Sequence, residues 1–259
     1  MIMLLDLFVF IFGAVFGSFL NVCIHRIPKG ESILRPPSHC PACHTLIGWF
    51  DNIPLASFLM LSGKCRSCGA RIPFRYFFVE LFSAGFWLWL WRLYGPSPFF
   101  LAAVILFSIL TVISATDFET GLIPDKMTLP GMAAGFLLSA VFPFFHGETV
   151  WYWGFLKSLL GFGTGGGILL GIGLLGNLIF KKESMGGGDI KLIAMLGAFL
   201  GLEKTLLVFL FAPVTAIPFA LYMKYARRAE TIPFGPFLAA SGALLFVYGD
   251  WIGKTFFYF

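Results

Sequence analysis

The chain has 259 residues, of which 58% are hydrophobic and only 12% charged, and its mean hydropathy is +0.88. Soluble domains carry roughly 25% charged residues, and 33 Phe with 7 Trp is more apolar surface than a water-soluble globule of this size buries. A soluble enzyme, a disordered chain and a nucleic-acid-binding domain are therefore excluded, a polytopic membrane protein is left, and the net charge of +5 reads as loop orientation rather than a basic binding patch.

The apolar runs are continuous rather than alternating, which argues helices and not a barrel. The first spans 7–23. Asp6 precedes it, no basic flank opens it and no small-x-small cleavage site closes it, so it reads as a retained span rather than a signal peptide. A polar segment, 24–75, follows with four of the 5 cysteines and a cluster of basic residues, Arg26, Lys29, Arg35, Lys64, Arg66, Arg71 and Arg75. Seven more apolar runs come after it: 76–94, 99–116, 128–145, 155–180, 190–202, 205–223 and 232–251. Glu203 and Lys204 split what would otherwise be a single run too long for one crossing, so a tight hairpin is expected there. The expected fold is all-α, with about eight transmembrane helices and a small cytoplasmic domain between helices 1 and 2.

Basic residues orient the chain. If 24–75 is cytoplasmic, the connections on its side hold all of the 18 Lys and Arg except Arg92, Lys157, Lys204 and Lys254. Lys181, Lys182, Lys191, Lys224, Arg227 and Arg228 fall on the cytoplasmic side. The positive-inside rule then puts the cysteine segment in the cytoplasm and both termini outside.

Cys40-Pro41-Ala42-Cys43 and Cys65-Arg66-Ser67-Cys68 are two C-x-x-C pairs with 21 residues between them. Four thiolates so spaced can converge on one Zn²⁺. Two disulfides and a redox pair are the alternatives; the reducing cytoplasm and the missing βαβ pattern speak against them. A segment this short has little core of its own, and a metal would supply the missing folding energy. His39 and His44 flank the first pair as neighbours, and lone Cys23 reads as packing.

Two acidic positions stand out. Asp117 closes the third apolar run, with Asp125 eight residues on, and Gly186-Gly187-Gly188-Asp189 opens the sixth, followed by Lys191. By the topology count Asp117 and Asp189 lie at similar depth on one side. The run 190–202 is 13 residues, roughly 20 Å of helix against a hydrocarbon core of about 30 Å. Irregular backbone at the glycines, lining a wet pocket with Asp189 at its floor, is expected to fill the rest. Two carboxyls sharing one proton suit acid–base hydrolysis of a peptide bond. Helix capping and close helix packing explain the same residues without chemistry. The glycines at 161, 163 and 165–167 read as packing or flexibility, because no Lys-Ser/Thr ending makes them a phosphate loop.

Taken together, the motifs resemble the bacterial type IV prepilin leader peptidases, including those that process type II secretion pseudopilins. The resemblance runs through Gly17-Ser18-Phe19-Leu20-Asn21-Val22, Arg26-Ile27-Pro28, both cysteine pairs, Trp49, Asp51-Asn52-Ile53-Pro54 and Gly63-Lys64-Cys65-Arg66. It continues through Ile72-Pro73-Phe74-Arg75-Tyr76, Glu80, Asp117, Ile123-Pro124-Asp125 and the Gly186-to-Asp189 block with Lys191. It implies an intramembrane aspartic protease of the Gly-x-Gly-Asp type in the bacterial inner membrane. Such enzymes cut the short basic leader of a prepilin or pseudopilin at the cytoplasmic face, just after a glycine. Many then N-methylate the new N-terminus with S-adenosylmethionine. Asp117 and Asp189 match the family's catalytic pair, with Asp125 the other candidate for the first acid. Gly186, Gly187, Gly188, Lys191 and Asp125 form the expected active-site loop. Cys40, Cys43, Cys65 and Cys68 match a zinc-binding domain linked to methylation. The implied organisation is a first transmembrane helix (1–23), a cytoplasmic zinc-binding domain (24–75) and a seven-helix membrane protease domain (76–259). Partners are the pilin substrate and membrane lipid, with no nucleic acid; the sequence does not fix the oligomeric state. An ion- or proton-coupled transporter using the same aspartates is the competing reading.

Overall fold

The computed structural model describes residues 2–181, 185–227 and 233–257. Lys182 and Arg228, counted above, and Ile232, the expected start of the last span, lie outside them. The chain is helical and forms two compact units, Met1–Phe100 and Leu101–Phe259. Among the described residues, five stretches are long and apolar enough to cross a membrane: Met3–Arg26, Pro98–Thr120, Trp151–Ile179, Gly187–Tyr225 and Gly235–Phe256.

In the first unit α1 (Ile2–Arg26) packs against α3 (Phe74–Tyr94). Glycines on α1 make the approach possible. A Cβ at Gly13 would lie 2.9 Å from the Ala84 Cα, and one at Gly17 2.8 Å from the Glu80 Cα. In lipid, where apolar association between helices gains nothing from water, such small-residue seams are what hold helices together. The far end of the pair is tied by Arg92 and Asp6 at 2.9 Å. Between the helices lies the cysteine segment, with a 3₁₀ turn at Trp49–Asn52 and the short α2 (Ala56–Met60). Helix α1 runs three residues beyond the expected end of its apolar run, since Ile24 and Arg26 are buried, and Cys23 is core as expected.

The second unit holds α4 (Pro98–Thr120, whose first turn belongs to the first unit), α5 (Asp125–Val141), α6 (Trp151–Phe180), α7 (Gly187–Arg227) and α8 (Gly235–Ile252). Helix α7 counts 41 residues, about 60 Å if straight. It is not straight. Gly201 has φ 75° and ψ −179°, a conformation open essentially to glycine alone. The second half turns back: Lys204 pairs with Asp250 at the C-terminal end of α8, while the Phe219 ring meets Phe237 near the start of α8 and Phe118 in the last turn of α4.

Two expectations are thus corrected. The reversal falls at Gly201, not at Glu203–Lys204, because backbone freedom rather than polarity sets where the chain can turn. Gly187 and Gly188 are not irregular backbone; they are the first residues of α7, and its first half is a short helix.

Within the glycine-rich stretch of α6, Gly161 and Gly165 serve packing, one of the two readings open to it, whereas Gly163 and Gly167 face open space. A Cβ at Gly165 would lie 2.7 Å from the Ile193 carbonyl, and Gly161 and Gly197 face each other backbone to backbone. Just before the reversal, the Ser139 and Ser158 hydroxyls donate to the Ala198 carbonyl at 3.2 and 2.5 Å. His146 stands beside them, its Nε2 2.9 Å from the Ser139 Oγ. Burial, then the Lys204 and Lys157 cations, push its imidazole down to about 4.

Candidate active site

Helix α4 ends because Gly121 takes φ 66° and returns its N–H to the Asp117 carbonyl at 2.9 Å, a left-handed cap. Pro124 then opens α5, so Asp117 and Asp125 stand on different helices. Asp117 is only 6% exposed, and the Gly235 N–H at the start of α8 donates to its Oδ2 at 2.9 Å. Asp189 lies in the first turn of α7, where its N–H donates to the Gly186 carbonyl at 3.2 Å. Its Oδ1 is buried with no hydrogen-bond partner, and its carboxyl is within electrostatic reach of Asp117.

Glycines permit this convergence. A Cβ at Gly188 would sit 2.8 Å from the Ile123 Cβ, and one at Gly235 2.7 Å from the Asp117 Oδ2 and 3.1 Å from the Ile123 Cδ1. Ile123 is therefore the wedge that both helix starts close upon. A Cβ at Gly186 would lie 3.2 Å from the Asp189 Oδ2, whereas Gly187 faces open space. Asp125, in the first turn of α5, accepts both of its contacts from the Lys191 Nζ, at 2.7 and 2.8 Å. Both partners are substantially exposed, 54% and 43%. The structure thus groups Asp117, Asp189, Gly186 and Gly188, and sets Asp125 with Lys191 as a solvent-facing pair. Sequence reasoning missed Gly235, and it marked Ile123 only as part of the Ile123-Pro124-Asp125 motif, with no role at the site. The signal for Gly235 was present in Pro233-Phe234-Gly235-Pro236, a helix-start pattern with proline in the first turn.

The cysteine segment is one turn built twice. Cys40 N–H donates to the Thr45 carbonyl and Cys65 N–H to the Ala70 carbonyl; His44 and Gly69 donate back to Cys40 and Cys65; bridges His39–Leu46 and Lys64–Arg71 close each copy. His44 takes φ 57° where the second copy has Gly69 at 71°. The four sulfurs lie within 4.8 Å of one another, and those of Cys40 and Cys68 are 3.9 Å apart. A disulfide needs about 2.05 Å, whereas four thiolates around Zn²⁺ at about 2.3 Å stand about 3.8 Å apart. The donor set therefore fits a metal such as zinc. Sulfur chemistry agrees. The Thr45 hydroxyl and then its N–H hold Cys43 down near 6, and the N–H groups of Cys68 and Ser67 lower Cys65. At Cys68 the Ala70 N–H pulls the thiol down, but the neighbouring sulfurs, Cys43 foremost, and desolvation outweigh it and push it up to about 11. Such crowded thiols are what a divalent cation relieves.

Residues 11–94 match the bacterial peptidase A24 N-terminal domain, and residues 104–221 match the type IV leader peptidase family. The chain is 37% identical over 223 residues to the prepilin leader peptidase/N-methyltransferase of Myxococcus xanthus, covering 86% of this chain and 64% of that protein. It is 38% identical over 210 residues to the protein of the same name from Klebsiella pneumoniae, covering 78% and 89%. It is 35% identical over 275 residues to that of Burkholderia pseudomallei strain 1026b, covering 93% and 85%. No solved structure matches. The expected resemblance holds over both units, and nothing favours the transporter reading. The chain belongs to the type IV leader peptidase family.

Proposed function

We propose that this protein is a membrane-embedded prepilin leader peptidase, with Asp117 and Asp189 as its acid–base pair, and that it also N-methylates the new N-terminus. Family membership supports the activity. The observation that carries the site is the buried, unpartnered Oδ1 of Asp189 within electrostatic reach of Asp117. An orphaned buried carboxylate oxygen is costly in any structure, and here a water or a substrate group would pair it. Two neighbouring carboxyls hold one proton between them more cheaply than two charges. The ionised one takes a proton from water as it attacks the scissile carbonyl. The protonated one gives its proton to the oxygen as the centre becomes tetrahedral. The open side of Gly187 gives an extended substrate backbone room to approach. Asp125 and Lys191 stand at the exposed rim, where a charged leader would meet them.

The membrane reading is eight crossings: α1, α3, α4, α5, α6, the two halves of α7 and α8. The reversal at Gly201 supports counting α7 twice. The positive-inside bias supports a cytoplasmic cysteine segment, leader cutting at the cytoplasmic face and residence in the bacterial inner membrane. Residues 24–75 form the zinc-binding domain, with Cys40, Cys43, Cys65 and Cys68 as the ligands of one structural Zn²⁺ that ties the segment together; 1–23 and 76–259 are the first helix and the seven-helix protease domain. Methyl transfer rests on the family likeness. S-adenosylmethionine would supply the methyl group. No strand forms among the described residues, so the sheet-borne glycine loop of soluble methyltransferases is not available to hold it.

The test is to incubate the purified protein with a prepilin and S-adenosylmethionine and weigh the product. Leader loss followed by a gain of one methyl group supports the proposal; an uncut prepilin refutes it.

A further inference from the structure

Glu80 belongs to neither site. It lies on α3, 7% exposed, against the α1 seam at Gly17, and the Ser18 hydroxyl bonds its carboxylate. Its Oε2 accepts the Leu55 N–H at 2.8 Å, a contact across 25 residues. Leu55 is the N-cap residue just before α2, and its φ is 63°. A leucine keeps such a left-handed conformation only where its surroundings hold it. The same joint carries the Phe58 ring on Phe77 and Phe74, at 5.2 and 6.1 Å. Nearby, the Asn21 amide donates to the Tyr76 carbonyl at 3.0 Å.

The cysteine segment joins the helix pair covalently at two points, the end of α1 and the start of α3. Two joints leave a body free to rock about the line through them. Ring contacts such as Phe58 on Phe77 are non-directional and do not stop that motion. A hydrogen bond from a strained backbone to a buried carboxylate does, because it has one length and one direction.

We infer that Glu80 is a positioning residue: by holding the Leu55 N–H it fixes the cysteine segment on the α1–α3 pair in the one orientation that methyl transfer uses. The catalytic consequence rests on the methyl-transfer reading above, but the tether does not. Leader removal, carried by the second unit, does not depend on it.

The experiment uses full-length protein with zinc bound and reads three quantities: hydrogen exchange of the peptide containing Leu55, leader removal, and methyl addition to a prepilin already cut. Glu80→Gln keeps an acceptor oxygen at the same reach, and Glu80→Asp keeps the charge but falls one carbon short. Glu80→Asp and Glu80→Ala should speed exchange at Leu55 and slow methyl addition by about tenfold or more, with cleavage within about twofold. Glu80→Gln should stay within about twofold of the natural protein in all three. Normal methyl addition in Glu80→Asp and Glu80→Ala overturns the inference. So does loss of methyl addition in Glu80→Gln while Leu55 stays protected. If the shortened variants fail to accumulate, Glu80→Met keeps the length of the side chain without a strong acceptor, and unchanged methyl addition in it is equally contrary. A natural protein that cuts but adds no methyl removes the methyl-transfer reading, and the exchange data then decide the tether alone.

Discussion

In the first unit four sulfurs come from two copies of one turn, 25 positions apart, in a segment whose only α-helix of its own is the five-residue α2. In the second unit two carboxyls come from α4 and α7, 72 positions apart, on helices whose Leu106, Ile113, Met195 and Leu196 are fully buried. The cysteine turns bury little, and on the proposed reading a bound ion supplies what holds them together. The aspartates are held by the helices themselves, through glycine seams that set backbone against backbone. On that reading one site is made by what it binds and the other by packing, and the two should fail in different ways.

The largest expected effect separates them most sharply. Asp189→Asn should lower leader removal by on the order of 10³-fold, while zinc content and methyl addition to a pre-cut prepilin stay normal. Loss of zinc in that variant would mean that the units are not independent. Next, Cys40→Ser or Cys68→Ser should release the metal and slow methyl addition about tenfold or more, leaving cleavage within about threefold. Metal analysis that still finds one zinc per chain would contradict the ligand set. Gly235→Ala is a finer cut. Its Cβ would stand 2.7 Å from the Asp117 Oδ2, so cleavage should fall about tenfold without loss of fold. An unchanged rate would show that this corner is looser than the packing indicates.

A further effect, away from both sites, is one of stability. His146 is lowered by burial from its usual 6.5 to about 4. Between those values the unfolded chain binds the proton that the folded one refuses, so stability drops as pH falls from about 6.5 toward 4, by roughly 3 kcal/mol at the limit. His146→Gln should flatten that slope in thermal melts at a series of pH values; an unchanged slope would assign it to another group.

How much of this was legible depended on the range of the interaction. The cysteine site was readable because its chemistry is local: each C-x-x-C closes its own turn, and only the pairing of the two copies is long-range. The helices were readable from apolar runs, but their ends were not. The turn in α7 went to Gly201 because a left-handed residue costs glycine almost nothing, whereas polarity at Glu203 and Lys204 says only that water or an ion pair is near. At the aspartates the sequence could mark the acids but not their partners. Gly235 and Ile123 reach the site only through packing, and a residue that acts through its backbone N–H leaves no side chain to read. Glu80 is the same lesson reversed, a legible acid whose partner is the amide of a leucine.

The central claim is that Asp117, not Asp125, works with Asp189. Single-turnover cleavage of a prepilin by Asp117→Asn and Asp125→Asn, side by side, tests it most directly. Asp117→Asn should leave the substrate intact, and Asp125→Asn, which merely frees the Lys191 ammonium at the rim, should slow cutting without stopping it. A silent Asp125→Asn beside an active Asp117→Asn would place the first acid eight residues further on and contradict the account.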